Sequence, residues 1–392
     1  MKILFCSQCN LTRSLGGAKV LVELSEELSK LGWECKAISP LDVSSVSGKQ
    51  LTWTARLKQY PEFLRQYLQA HATEYDVIDY DHEYLPYPRS EFSSQTLFVA
   101  RSVLLLHHFG KIQIPEERTW KSKLRSFIKK KDNSYFDKRI KAAHTTMCEA
   151  DIINVSNNQD YDELVQAGIA KEKIYILPFG ISSSRRQLFD EISSFPPTTP
   201  TVAFVGTFDP RKGSVEFPEI VKAICTQIPQ VKFRLLGTAG LYQTKAEVLS
   251  QFPAHLRNKL EIIPHFSPET LPNLLAPCSV GIFPSYVEGF PFGVLEMLAA
   301  SIPVIAYNSP GAPMMLPSEY LVPRGDSKSM SEKVIHLLSD RDKLISARIW
   351  AKQHSQQFSW QKVADQTSQI YLEQWHKKQV TGGNCTLLPM SS

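Results

Sequence analysis

Two glutamates eight residues apart, Glu288 and Glu296, stand in the segment 281–307, GIFPSYVEGFPFGVLEMLAASIPVIAY. An apolar strand stops at Pro284-Ser285, a loop carries Glu288, Gly289 and Phe290, and a helix starts near Phe292-Gly293. Glu296 falls in the first turns of that helix, and 303–307 reads as the next strand. A carboxylate accepts hydrogen bonds from sugar hydroxyls, so one of the pair can grip a ribose diol while the other orients a transferred sugar. Backbone N–H groups at the helix start favour an anion such as a diphosphate, and Gly293 would let it approach closely. A glutamate near a helix N-terminus also has a plain structural use, complementing the macrodipole by about 0.3–1 kcal/mol. Glu288, in a loop beside Gly289 and Phe290, has little structural reason to be acidic.

A second segment, 204–213, reads FVGTFDPRKG. A strand ends at Gly206, and Arg211-Lys212-Gly213 precedes a helix. Cations there can neutralise a leaving diphosphate as its charge grows, although a basic turn can also be merely solvated. Gly16-Gly17 ahead of the first helix would let backbone amides approach a ligand. His107 and His108, beyond the apolar strand 96–100, and His265, after 261–264, are crevice candidates that are equally ordinary as packed or surface histidines. No G-x-G-x-x-G follows the first strand, which disfavours a nicotinamide dehydrogenase. No G-x-x-x-x-G-K-[ST] suggests a P-loop, and no His/Cys cluster indicates a metal. Cys6 and Cys9 form a C-x-x-C without a partner pair, and the seven scattered cysteines do not form a disulfide framework.

The elements that must position these groups come in two series. In the first, Lys2–Cys6 reads as a strand, Val20, Leu21, Leu24, Leu28 and Leu31 mark a helix closed by Gly32, and Glu34–Ile38 is the next strand. Further strands are expected at 76–78, 96–100, 152–155 and 174–177. The stretch 182–200, rich in Ser and Pro, reads as a linker. The pattern then restarts, with strands expected at 201–206, 232–237, 261–264, 280–283 and 303–307 and helices at 214–228, 268–276, 292–300 and 327–339. Strand–helix alternation implies parallel sheets covered on both faces. At roughly 150 residues per domain, 392 residues fit two domains. The expectation is therefore an α/β chain with domains 1–181 and 201–357, a helix at 358–376 and a flexible tail 377–392.

Glu288 and Glu296, embedded in P-S-x-x-E-G-F ahead of L-E-M-L-A and P-V-I, resemble the E-x7-E signature of family-4 type retaining glycosyltransferases with two Rossmann-like domains, the GT-B architecture. The likeness extends to Gly16-Gly17, ADIINVS at 150–156, IYILPFG at 174–180, FVGTFDPRKG at 204–213 and the closing stretch 358–375. It implies transfer of a sugar from a nucleotide-diphosphate donor to an acceptor hydroxyl, by front-face displacement in which the leaving phosphate helps deprotonate the acceptor. No metal or other cofactor is implied. Glu296 would hold the ribose, Glu288 the donor sugar, and Lys212 with Arg211 the diphosphate. Gly16, Gly17, Gly206, Thr207, His265, Phe290, Phe292 and Gly293 would line the donor site, with His107 or His108 facing the reacting sugar. The acceptor would enter from the first domain, onto which the C-terminal helix would cross back. Thr207 stands where this family usually has an Arg, so Arg211 substitutes for it or the diphosphate is held more weakly. A nucleotide-sugar epimerase, a phosphorylase or a non-catalytic binding relative of the same architecture are the alternatives, and no strong site for a phosphorylase's lysine-bound cofactor is evident.

The formal charge of +5 is regional: eleven Lys/Arg and four Asp/Glu lie within 111–141, against 33 and 35 in the remaining 361 residues. Trp120, Leu124, Phe127 and Ile128 recur there at helical spacing. Such a helix could lie on an anionic membrane, at about 1 kcal/mol per surface-facing cation, or simply pack on its own domain. A nucleic-acid surface is disfavoured, since no recognition motif accompanies the charge. The first residues are too short an apolar run for a signal peptide, and 96–109 is too short and too charged to span a bilayer. The expected location is cytoplasmic, with peripheral attachment to the cytoplasmic membrane open, and an acceptor on a polysaccharide, glycolipid or lipid-linked glycan.

Overall fold

A computed structural model of the chain describes residues 1–11, 16–44, 53–116 and 133–383. The centre of the basic segment, 117–132, and the tail from 384 lie outside the described residues, so the proposed membrane-facing helix is not among the elements below.

The first domain carries six strands: β1 (Lys2–Cys6), β2 (Glu34–Ile38), β3 (Val77–Asp81), β4 (Leu97–Arg101), β5 (Ile152–Val155) and β6 (Ile174–Ile176). They form one sheet in the order β2-β1-β3-β4-β5-β6. The second domain repeats the plan with β7 (Thr201–Val205), β8 (Lys232–Leu236), β9 (Leu260–Ile263), β10 (Val280–Phe283), β11 (Val304–Tyr307) and β12 (Leu321–Val322), ordered β12-β11-β10-β7-β8-β9. Every pairing is parallel. Central strands such as β4, β5, β10 and β11 are buried along their whole length. This is why they read as continuous apolar runs rather than alternating ones. The two-domain α/β arrangement expected from the sequence is the one observed. β12 went unread because a two-residue edge strand has no periodicity to detect.

The helix Gly16–Lys30 buries Val20, Leu21, Leu24 and Leu28 and ends before Gly32, whose φ of +86° suits a residue without a Cβ. The Ser/Pro-rich stretch taken as a plain linker contains a helix, Ser183–Asp190, with Arg185 and Phe189 buried. The long C-terminal helix Trp360–Gly383 packs on the first domain's helix Gly16–Lys30 and on β4. Its Tyr371 hydroxyl accepts from Arg101 at 2.9 Å and from Asn154 at 2.6 Å, and donates to Asp79 at 2.6 Å. Ser368 accepts from the Trp33 indole at 2.9 Å. Phe179 joins the two halves, with ring centroids 5.3 Å from Phe290 and 5.7 Å from Trp360. Among the described residues no helix is long and apolar enough to cross a membrane.

Candidate active site

In each sheet the chain reverses its direction of strand addition once, between β1 and β3 in the first and between β7 and β10 in the second. Such switch points open a crevice at the carboxyl ends of the strands. The loops carrying the sequence candidates leave these strand ends, and they meet across a cavity of about 660 Å³. Its wall includes Gly17, Gly206, Thr207, Arg211, Lys212, Glu288, Phe290, Phe292, Gly293 and Glu296 from the expected set.

Glu288 is 7% exposed, and its Oε1 accepts from Lys212 Nζ at 2.5 Å, Arg211 Nη1 at 3.0 Å and the Ser285 hydroxyl. Burial alone would push this carboxyl up; Lys212 and Arg211, with Ser285, outweigh it and hold it below the usual carboxylate range. Burial pulls the Lys212 ammonium below the ordinary lysine range, with Glu288 opposing. Arg211 and Lys212 are brought here by a turn that Asp209 caps, its side chain accepting from the Lys212 N–H. Gly213 closes it at φ +80°, where a Cβ would lie 2.3 Å from the Pro284 carbonyl. The two loops therefore share one glycine-dependent contact.

Glu296 sits inside the helix Phe292–Ala299 and is also 7% exposed. Its Oε1 accepts from Arg185 Nη2 at 2.8 Å and from Lys19 Nζ at 3.2 Å. Burial raises its pKa, but Lys19 and Arg185 outweigh this and leave it lowered. Lys19 lies 4.6 Å over the Phe292 ring as well. Gly293 is needed where the helix meets β7, since a Cβ there would stand 2.5 Å from the Val205 carbonyl. Thr207 donates to Asp209 at 2.6 Å, so the residue in the expected arginine's place braces the turn that presents Arg211 and Lys212.

The histidines behave differently. His107 and His108 are buried in the first domain and are not on the cavity wall. His108 Nε2 is 2.7 Å from Asp160 Oδ1, and His107 Nε2 is 3.4 Å from His144 Nδ1. Burial, then the neighbouring histidines His82 and His144, pull His107 down to about 4. His265 is exposed and away from the cavity. These three are thus corrected: β4 ends at Arg101, and the turn Leu106–Gly110 directs both imidazoles into the domain rather than the cleft. Gly16 opens the first helix, and its neighbour Gly17 lines the cavity.

Residues that sequence reasoning missed complete the wall. Lys19 and Arg185, behind this wall, hold Glu296. Asp81, His82, Glu83 and Arg139 line the cavity from the first domain, together with Gln8. The run D-Y-D-H-E at 79–83, a polar end to the apolar strand β3, is their signal in the sequence. Cys6 is buried, and burial raises its thiol pKa well above the ordinary range.

Comparison with known proteins fits this geometry. Residues 185–356 match the family described as glycosyl transferases group 1. D-inositol 3-phosphate glycosyltransferase of Nocardia farcinica is 24% identical over 239 residues, covering 57% of this chain and 53% of the relative. The chain thus spans about half the length of that curated relative. Sucrose-phosphate synthase from Thermosynechococcus elongatus superposes with a TM-score of 0.72 at 19% identity, covering 96% of this chain and 99% of the other. Anabaena Alr3699/HepE in complex with UDP and glucose gives a TM-score of 0.64 at 16% identity, covering 95% and 100%. The fold is GT-B.

Proposed function

We propose that this chain is a retaining glycosyltransferase that moves a sugar from a nucleotide-diphosphate donor to an acceptor hydroxyl. The observation that carries the reading is that two buried carboxylates, Glu288 and Glu296, and the cations Arg211 and Lys212 all reach one interdomain cavity. In this reading Glu296 accepts the ribose hydroxyls, and Glu288 orients the donor sugar. Lys212 and Arg211 take the diphosphate, which competes with Glu288 for them. The bond from the anomeric carbon to the diphosphate breaks with its electron pair going to the phosphate oxygen. The acceptor oxygen bonds the same carbon on the same face, and its proton passes to that phosphate oxygen. Two cations and the amides at the Phe292 helix start supply the electrostatic stabilisation, with no metal required of the scheme. Closure of the domains would keep water from the donor.

The UDP complexes of the Anabaena relative support a nucleoside diphosphate donor. The basic stretch 111–141 supports an acceptor borne on a lipid or an anionic membrane, a glycolipid or lipid-linked glycan, with the protein peripheral on the cytoplasmic face. The test of the central reading is incubation with UDP-, GDP- and ADP-sugars and a neutral glycoside acceptor. Nucleoside diphosphate release and a product with the donor's anomeric configuration by NMR are expected. An inverted product, or no release with any donor, contradicts it. For the membrane part, co-sedimentation with anionic but not neutral liposomes is expected, declining with salt; equal binding to both contradicts it.

A further inference from the structure

We propose that Asp81, His82 and Glu83, at the end of β3, form the acceptor subsite, and that this subsite takes an uncharged sugar or polyol rather than a phosphorylated one. The inference rests on the glycosyltransferase reading of the cleft and adds the chemical class of its second substrate. The three side chains lie at the switch point of the first sheet and line the same cavity as Gln8, Glu288 and Lys212. Their ligand atoms lie within 4.8 Å of one another.

His82 is the group that asks for a ligand. It is 1% exposed and lines the cavity; its Nδ1 lies 3.5 Å from Asp81 Oδ1, and its Nε2 makes no hydrogen bond among the described residues. Burial, then the Arg139 charge, pull it down to about 3, so the ring is neutral and carries one donor and one acceptor nitrogen. A substrate hydroxyl, able to donate or to accept, can partner Nε2 in either tautomer of the ring. A buried polar group is costly without a partner, which an incoming hydroxyl would provide.

The flanking groups set the charge class. Asp81 accepts from Gln8 Nε2 at 2.9 Å and from the Glu83 N–H at 3.0 Å. Glu83 Oε2 accepts from Arg139 Nε at 3.1 Å and Nη2 at 2.5 Å. The described cation on this wall is therefore already engaged by a carboxylate. Burial and the proximity of Glu83 push Asp81 up, and burial pushes Glu83 up despite Arg139. Two carboxyls already under strain to ionise would meet a phosphate monoester with like charge, which selects against it. Hydroxyls find acceptors in both carboxyls and a matched partner in His82.

The experiment first identifies the productive donor by nucleoside diphosphate release, then measures initial rates with myo-inositol and methyl glycosides against their phosphorylated counterparts. Neutral acceptors should be used at least tenfold better in kcat/KM. In His82→Ala the acceptor KM should rise tenfold or more while donor Kd by calorimetry stays within about twofold. His82→Gln, which keeps a donor and an acceptor, should recover part of the loss. If phosphorylated acceptors serve equally well, or His82→Ala weakens donor binding as much as acceptor use, the subsite assignment is overturned while the enzyme reading stands. If no donor is bound or turned over, the enzyme reading falls and takes this inference with it.

Discussion

Lys19 of the first domain and Arg185, on the segment between the domains, share one oxygen of Glu296 in the second, at 3.2 and 2.8 Å. The carboxylate proposed to hold the ribose is thus also a latch across the cleft. All three side chains are less than a tenth exposed, so the charges screen each other rather than being screened by water.

Removing both cations should expose the energetic weight of that latch. Lys19→Met leaves Glu296 with Arg185 and should cost about 1–3 kcal/mol. Lys19→Met with Arg185→Met strands a buried carboxylate and should cost about 3–5 kcal/mol. Urea unfolding followed by circular dichroism measures both; a double variant within 1 kcal/mol of the wild type on that scale means Glu296 is not held this way.

Gly289 has no room for a side chain, because a Cβ would stand 2.0 Å from the Val103 carbonyl of the other domain. Asn157 Nδ2 also donates to the Gly289 carbonyl at 2.7 Å. Gly289→Ala must push the Glu288 loop away from the first domain. A lower melting temperature and a larger radius of gyration by small-angle scattering are expected; an unchanged pair of values means the domains do not meet at Gly289.

Tyr371→Phe removes one hydroxyl that touches Asp79, Arg101 and Asn154, all buried. A loss of about 1–3 kcal/mol is expected, since the partners are left short of a hydrogen bond in a dry site. Arg101 itself is tied to Asp79 with its Nε 3.1 Å from both carboxylate oxygens, so it serves this anchor rather than the cleft. Calorimetric melting of the variant decides; no shift would detach the C-terminal helix from the first domain's stability.

His107 makes the fold acid-sensitive in a defined window. Its folded pKa of about 4 lies below the roughly 6.5 of an unfolded histidine. Between those values the unfolded chain binds the extra proton, so stability falls as pH drops from 6.5 towards 4, by about 1.4 kcal/mol per unit near pH 5. His107→Asn should flatten the fall of stability between pH 6.5 and 5 relative to the wild type. Parallel curves for the two proteins count against a neutral, buried His107.

Much of the fold could be read in the sequence because parallel strands buried on both faces leave apolar runs, and Gly32 and Gly293 sit where a cap and a helix–strand contact require them. The second-domain wall of the cavity was equally legible, since Glu288, Glu296, Arg211 and Lys212 come from two short segments next to one switch point. Lys19 and Arg185 were not, because they meet Glu296 only when segments far apart in the sequence come together, which no local spacing encodes. The histidines failed for a local reason: the turn after β4 runs longer than a simple strand end, so counting forward from the strand gave the wrong face.

The most direct measurement is calorimetric titration of the wild type, Glu296→Ala and Glu288→Gln with UDP-, GDP- and ADP-sugars. The wild type should bind one nucleotide class, and Glu296→Ala should lose about 1.5–3 kcal/mol, the range for hydrogen bonds to a charged acceptor. Glu288→Gln should weaken the nucleotide sugar more than the bare nucleoside diphosphate, since it acts on the sugar. Binding of no donor by the wild type, or equal binding by all three proteins, would contradict a donor site built on these two carboxylates.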